Sequence, residues 1–204
     1  MTNLFPIFVK LAGRNCLVVG GGSIAEGKAE GLLACDATVV LVAPEVTDKI
    51  AGWARERRLV WHRREFQSSD LEDAFLVVAA TGVSSLNESV FCEAGSRGVL
   101  CNVVDEPERC HFYYPAVVRR GSLQIAISTG GVSPALAQRL RIELEKQFGP
   151  EYAQWLQELG ANRQAVFAKE TNAQRRAHIL RVLASRRSFQ RFLRRERRRI
   201  GGSV

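Results

Sequence analysis

The chain has 204 residues, 46% of them hydrophobic and 25% charged, enough to bury the core of one large domain or of a smaller domain with an appendage. No apolar run approaches the ~20 residues of a membrane span, and the start, Met1-Thr2-Asn3-Leu4-Phe5-Pro6, lacks the basic and apolar regions of a secretion signal, so a cytoplasmic protein without a membrane partner is expected. The net charge of +8 is local: residues 175–199 hold eleven arginines against the single acid Glu196, which leaves the rest of the chain near −2.

Asn15-Cys16-Leu17-Val18-Val19 is a short apolar run ending at Gly20-Gly21-Gly22, and residues 23–33 then read as a helix. A second buried strand over 38–43 is closed by Pro44. A helix over 49–57, a strand over 59–62, a strand over 75–80, a helix over 86–96 and a fifth strand over 100–104 follow. The strands are continuous β-branched runs, the pattern of strands covered on both faces. Strands spaced by helix-length segments predict right-handed βαβ units, so residues 1–113 are expected to form an α/β domain, a doubly wound parallel sheet of the Rossmann type.

After Asp105 the pattern changes. Residues 115–128 read as two strands around a turn at Arg120-Gly121, the second alternating apolar and polar as a half-exposed antiparallel strand does. Ser133-Pro134 is a helix start, a capping hydroxyl followed by proline at the first helical position. That helix stops at Gly149-Pro150, giving a small α+β segment over 114–149. From Glu151 onward everything reads as helix, so 150–204 is expected to be a helical, arginine-rich C-terminal domain.

The five cysteines are odd in number and lack a Cys-x-x-Cys pair, and the three histidines are scattered. Neither a disulfide framework nor a resident metal site is expected.

Gly20-Gly21-Gly22-Ser23-Ile24-Ala25 fits Gly-x-Gly-x-x-Ala, the dinucleotide fingerprint, in the required strand–turn–helix context. Gly20 permits the tight turn, Gly22 lets a pyrophosphate approach without a Cβ in the way, and Ala25 lets the helix pack close to the sheet. The helix then offers free N–H groups and its positive dipole end to the phosphates. The overlapping run from Gly22 to Ala29 nearly matches a nucleotide-triphosphate loop, but the last position needs a hydroxyl for Mg²⁺ and Ala29 has none. Glu45, just past the second strand, stands where an acid binds the ribose hydroxyls of NAD, and no arginine is near it in sequence to hold a 2′-phosphate. Asp105 ends the fifth strand, where ligands gather in open α/β sheets; it is either a turn former before Glu106-Pro107 or a general base. Ser128, Thr129, Gly130, Gly131 and Ser133 form a second glycine turn into a helix, suited to a carboxylate or phosphate or simply a connection.

Together, Leu4-Phe5-Pro6-Ile7-Phe8, Val18-Val19-Gly20-Gly21-Gly22, Lys28-Ala29, Ala79-Ala80-Thr81, Asn87, Asn102-Val103-Val104-Asp105, Pro115-Ala116 and Ser128-Thr129-Gly130-Gly131-x-Ser133-Pro134 resemble the precorrin-2 dehydrogenases and sirohydrochlorin ferrochelatases of sirohaem synthesis. The Asn-Val-Val-Asp strand end combined with the Gly-Gly-x-Ser-Pro turn is more specific than the fingerprint. The resemblance implies NAD-dependent oxidation of precorrin-2 to sirohydrochlorin. It implies cofactor contacts from Ser23, Ile24, Pro44, Glu45 and Thr81, a tetrapyrrole facing Thr129 and its turn, and Asp105 serving the chemistry. It also implies a homodimer joined through the middle segment. Some stand-alone members oxidise without chelating, so Fe²⁺ enters here as a substrate of a second, open activity. Members commonly carry an acid or asparagine where this chain has Gly82, and the methyltransferase half of sirohaem synthase is not expected in 204 residues.

The arginine-rich end would raise the encounter rate of a tetrapyrrole with eight carboxylates, or is a solvated helix face. The rival function is a non-catalytic NAD-binding regulatory protein whose basic tail holds nucleic acid. Nothing resembling a nucleic-acid recognition motif or interleaved aromatics supports it.

Overall fold

The computed structural model describes residues 3–201, in two units that meet between Tyr114 and Pro115. In the first, β1 (Asn15–Val19), β2 (Thr38–Val42), β3 (Val60–His62), β4 (Leu76–Ala79) and β5 (Leu100–Val103) form one sheet in the order β3-β2-β1-β4-β5. Every neighbouring pair is parallel. The chain builds outward from β1 to β3, then crosses to β4 and builds the other way. The order therefore reverses between β1 and β4, and in such sheets ligands bind outside the carboxyl ends of the strands at that reversal.

Alternate residues of the three central strands, β1, β2 and β4, feed two separate cores. Cys16 and Val18 of β1, Val39 and Leu41 of β2, and Val78 of β4 pack with Ala25, Ala29 and Leu32 of α1 (Ser23–Leu33) and Ile50 and Trp53 of α2 (Asp48–Arg55). Leu17, Val19, Val77 and Cys101 point the other way, onto Val90 and Ala94 of α3 (Ser84–Ser96). Burial on both faces explains why the strand sequences do not alternate. It also pushes the thiols of Cys16 and Cys101 up to about 11 and about 12, so both behave as small apolar groups.

The elements match the expected order, with local differences. Arg57 takes φ 58° and ends α2 early, while α3 starts at Ser84 although no side chain caps it. Two 3-10 turns, Ser68–Leu71 and Pro107–Arg109, are too short to leave a periodic signal.

In the second unit, β6 (Ala116–Arg120) and β7 (Leu123–Ile127) form an antiparallel hairpin, followed by α4 (Pro134–Gln147). Arg120 donates from Nε to the carbonyl of Phe148 at 2.8 Å and from Nη2 to that of Glu145 at 3.2 Å, so the hairpin satisfies the open end of α4. The C-terminal region is not one run of helix. Asn172 accepts from the N–H groups of Gln174 and Arg175, which separates α5 (Glu151–Lys169) from α6 (Ala173–Leu183). The last helix, α7 (Arg186–Gly201), buries Phe189 and Phe192 near Tyr152 and Trp155 of α5.

Candidate active site

The turn after β1 divides its three glycines by function. Gly20 takes φ 121°, and a Cβ there would stand 2.3 Å from the carbonyl oxygen of Ala80; at Gly21 it would stand 1.9 Å from that of Glu45. Both positions are closed by the protein's own backbone. Gly22 is the opposite case: nothing lies within 4 Å of its missing Cβ, and it opens onto solvent at the N-terminus of α1. No side chain caps α1, and Glu26 supplies the first intrahelical N–H bond, to the carbonyl of Gly22 at 2.9 Å. The preceding amides, flanked by exposed Ser23 and Ile24, are thus offered outward beside a residue with no side chain. These residues fit the diphosphate of a dinucleotide. Ala25, fully buried, keeps the helix close to the sheet as its spacing predicted.

The loop after β2 is tied to this turn. The Thr47 N–H donates to the Gly21 carbonyl at 3.0 Å, and the Thr47 hydroxyl donates to Glu26 at 2.7 Å. Pro44 and Glu45 are exposed just before it. Val42 pairs with His62, the Ala43 N–H donates to the His62 carbonyl at 3.3 Å, and Arg63, the next residue, holds its guanidinium 5.9 Å from the centre of the Trp61 ring.

At the end of β4 the Thr81 hydroxyl donates to the Asn87 side-chain oxygen at 2.7 Å, and the Asn87 amide donates back to the Thr81 carbonyl at 3.2 Å. Thr81 is therefore committed to shaping its loop. Asn87, 4% exposed, is the residue that holds it, a role the reading of the sequence did not assign. Gly82 is exposed and has open space where a side chain would stand.

Asp105 follows β5 in the left-handed region at φ 62°, which aspartate tolerates better than most residues. It forms the turn and presents an exposed carboxylate. The chain then returns along β5: the Asn102 amide donates to the Phe112 carbonyl at 2.9 Å, and the Cys101 N–H donates to Nδ1 of His111 at 3.1 Å. Arg109 pairs with Glu106 at 2.6 Å and with Glu88 of α3 at 3.2 Å, fastening the loop from outside.

In the second unit, the Ser128 hydroxyl accepts from the Gly130 N–H and that of Thr129 from the Ser133 N–H, each at 3.1 Å. Gly130 and Gly131 have φ 63° and 84°, and Ser133 caps α4 through the Leu136 N–H at 3.3 Å. Each hydroxyl accepts a bond here and keeps its proton to donate. Most of the arginines of α7 lie exposed, while its two phenylalanines face inward, unavailable for stacking on bases. Among the described residues no group of three or more His, Cys, Asp or Glu could hold a metal, and no helix is long and apolar enough to cross a membrane.

Residues 7–116 match the family described as "Putative NAD(P)-binding", and residues 120–147 match the family described as "Sirohaem biosynthesis protein central". The chain is 43% identical over 143 residues to a siroheme synthase of Mannheimia succiniciproducens, covering 70% of this chain and 30% of that one. It is 36% identical over 185 residues to siroheme synthase 2 of Pectobacterium atrosepticum, covering 91% and 38%. The chain thus spans about a third of the length of the curated relatives it matches. Among solved structures, it is similar to "SirC, precorrin-2 dehydrogenase" with a TM-score of 0.77 at 28% identity, covering 94% of this chain and 98% of that one.

Proposed function

Since this chain belongs to the family described as "Putative NAD(P)-binding", we propose that it is an NAD-dependent precorrin-2 dehydrogenase of sirohaem biosynthesis, acting as a cytoplasmic homodimer. The observation that carries the reading is the open space at Gly22, at an uncapped helix N-terminus on the side where the strand order reverses. The similarity over nearly the full length of a structure titled a precorrin-2 dehydrogenase supports the choice of substrate.

Gly20 and Gly22 and the amides of Ser23 and Ile24 would hold the diphosphate, Pro44 and Glu45 the ribose, and the Thr81 loop would border the nicotinamide side. Bound NAD⁺ would supply the two-electron acceptor for the hydride that leaves precorrin-2. Asp105 would take the proton lost in the same oxidation at a carboxylate oxygen, so that hydride and proton together account for the change from precorrin-2 to sirohydrochlorin. Its turn keeps that carboxylate outside the sheet edge, and Arg109 anchors the turn without pairing with Asp105 itself. Ser128, Thr129, Gly130, Gly131 and Ser133 would meet carboxylates of the macrocycle through their hydroxyl protons and main-chain amides. Fe²⁺ would be a second substrate, exchanged for two pyrrole protons.

The test is anaerobic precorrin-2 with NAD⁺, followed by NADH absorbance and by the spectrum of sirohydrochlorin, with and without Fe²⁺. Stoichiometric NADH and sirohydrochlorin are expected; a chain that binds NAD⁺ yet leaves precorrin-2 unchanged is no dehydrogenase of this substrate.

A further inference from the structure

Lys28 is the lysine of the near-match to a triphosphate loop, and the fold takes it away from any phosphate. It lies in the second turn of α1, next to Ala29 and one helical step from Ala25 and Leu32, all three buried. Helical side chains lean toward the N-terminus of their helix, and that end of α1 lies at the carboxyl edge of the sheet. The Lys28 ammonium accordingly sits 3.7 Å from the centre of the Tyr114 ring. Tyr114 is itself edge-on to Phe112 at 5.5 Å, and Phe112 is pinned by Asn102 of β5.

The acids of its own helix that could have neutralised this ammonium are engaged elsewhere. Glu26 and Glu30, on the same helix, pair with Lys49 at 3.4 and 3.1 Å. Among the described residues none accepts a hydrogen bond from Lys28, and its ammonium lies against the ring. Burial holds its amine below the usual lysine range, while the charge of Asp105 and the thiol of Cys110 act in the opposite direction. A lysine that serves only as packing extends its ammonium into water. Here a half-buried cation stands on an aromatic platform, within electrostatic reach of Asp105, with its three N–H donors unused.

We infer that Lys28 is an anchor for a carboxylate of the substrate, its ammonium held over Tyr114 so that a tetrapyrrole side chain is fixed beside Asp105. The inference rests on the function proposed above for the identity of the ligand, but its geometry lies within the first unit alone. A cation over a ring keeps part of its charge unsatisfied, and a carboxylate supplies what the ring cannot. Cation and carboxylate side by side would let one substrate group be gripped while a neighbouring carbon loses its proton.

The experiment measures binding directly, apart from turnover. An air-stable porphyrin with eight carboxylates is titrated against the full chain, with tryptophan fluorescence as the readout, for wild type, Lys28→Met and Lys28→Arg. NAD⁺ affinity and melting temperature are recorded for each. Lys28→Met keeps the apolar stem on Tyr114 and removes the charge; it is expected to bind roughly ten-fold more weakly, with cofactor affinity and melting unchanged. Lys28→Arg is expected to stay within about three-fold of wild type, because the charge remains. Equal porphyrin affinity in wild type and Lys28→Met overturns the inference. So does a loss shared by both variants and tracked by a lower melting temperature, which would make the lysine a packing residue. A chain that binds the porphyrin through Lys28 but does not oxidise precorrin-2 keeps the anchor and loses the dehydrogenase reading, so the two fail separately.

Discussion

The carbonyl oxygen of Glu45 occupies the place where a side chain on Gly21 would begin, 1.9 Å from its ideal Cβ. The middle glycine of the fingerprint is thus a packing residue, and the last one has open space where a side chain would stand. Gly21→Ala must separate the β1 turn from the β2 loop, breaking the Thr47-to-Gly21 hydrogen bond. It is expected to lower stability by about 2 kcal/mol or more, read by urea unfolding. Gly22→Ala is expected to melt like wild type and to bind NAD⁺ at least ~10-fold more weakly by calorimetry, since its methyl would meet only the ligand. If both variants unfold alike, the division between them is wrong.

Asn87 holds the loop at the end of β4 through bonds to the hydroxyl and carbonyl of Thr81. Asn87→Leu fills the space but takes from half-buried Thr81 the side chain that pairs with both its hydroxyl and its carbonyl. A loss of about 1–3 kcal/mol in unfolding free energy is expected, together with weaker cofactor binding. Thr81→Val, which removes only the hydroxyl, should cost less in both measurements. The reverse ranking would show that Thr81 itself meets the cofactor.

The residues already display much of this frame, because a strand buried on both faces must be apolar throughout and a side-chain-capped helix start is written in two adjacent residues. The runs at 15–19 and 38–42, and the Ser133-Pro134 start of α4, are local facts and can be read locally. What could not be read depends on pairing across the sheet. The contact of Gly21 with Glu45, the placement of Lys28 over Tyr114, and the register that brings Arg63 beside Ala43 all join residues far apart in the chain. The break of the C-terminal helix at Asn172 is local yet leaves little signal, since arginine, alanine and leucine around it favour helix on either side.

Acid should weaken the first unit through Asp70. This carboxylate receives two bonds from Arg64, at 2.8 and 2.5 Å, and one from the Gln67 N–H at 2.9 Å, and the Arg64 guanidinium foremost holds it below the usual aspartate value of 3.8. A carboxyl whose pKa is lower folded than unfolded binds protons more tightly in the unfolded chain. Its contribution is complete above the unfolded value and is lost as pH falls through the folded one. Stability should therefore drop as pH falls below about 4 by an amount that Asp70→Asn removes, with the variant about 1–2 kcal/mol less stable at pH 7. Urea midpoints at pH 7, 4 and 3 check this; an unchanged acid slope in Asp70→Asn would assign the loss to other groups.

Asp105 combines an unusual backbone with an exposed carboxylate, and a substitution that disturbs both says little. Asparagine tolerates φ 62° and keeps the turn while removing the proton acceptor. Asp105→Asn is expected to lower NADH formation from precorrin-2 at least ~100-fold, in line with the loss of a positioned base, with NAD⁺ affinity and melting unchanged. Asp105→Ala should add a stability loss of about 1 kcal/mol from the left-handed backbone. Turnover in Asp105→Asn within a few-fold of wild type would leave Asp105 as a turn residue alone.

The choice between NAD and its 2′-phosphorylated form can be tested at one residue beyond each of two neighbouring strands. Glu45 is exposed after β2, and Arg63 follows the β3 residue paired with the end of β2. A carboxylate accepts from ribose hydroxyls and repels a phosphate in the same place, whereas a guanidinium attracts the phosphate. In wild type the acid stands on the loop proposed to meet the ribose, so NAD⁺ should be preferred. Glu45→Ala leaves the main-chain carbonyl against Gly21 untouched and removes the side chain alone. It is expected to weaken NAD⁺ roughly ten-fold and to improve NADP⁺, because Arg63 then meets the phosphate without opposition. The double substitution Glu45→Ala with Arg63→Ala should lose that gain while keeping the loss for NAD⁺. Equal affinities for NAD⁺ in wild type and Glu45→Ala, measured by calorimetry at fixed salt, would place the ribose elsewhere.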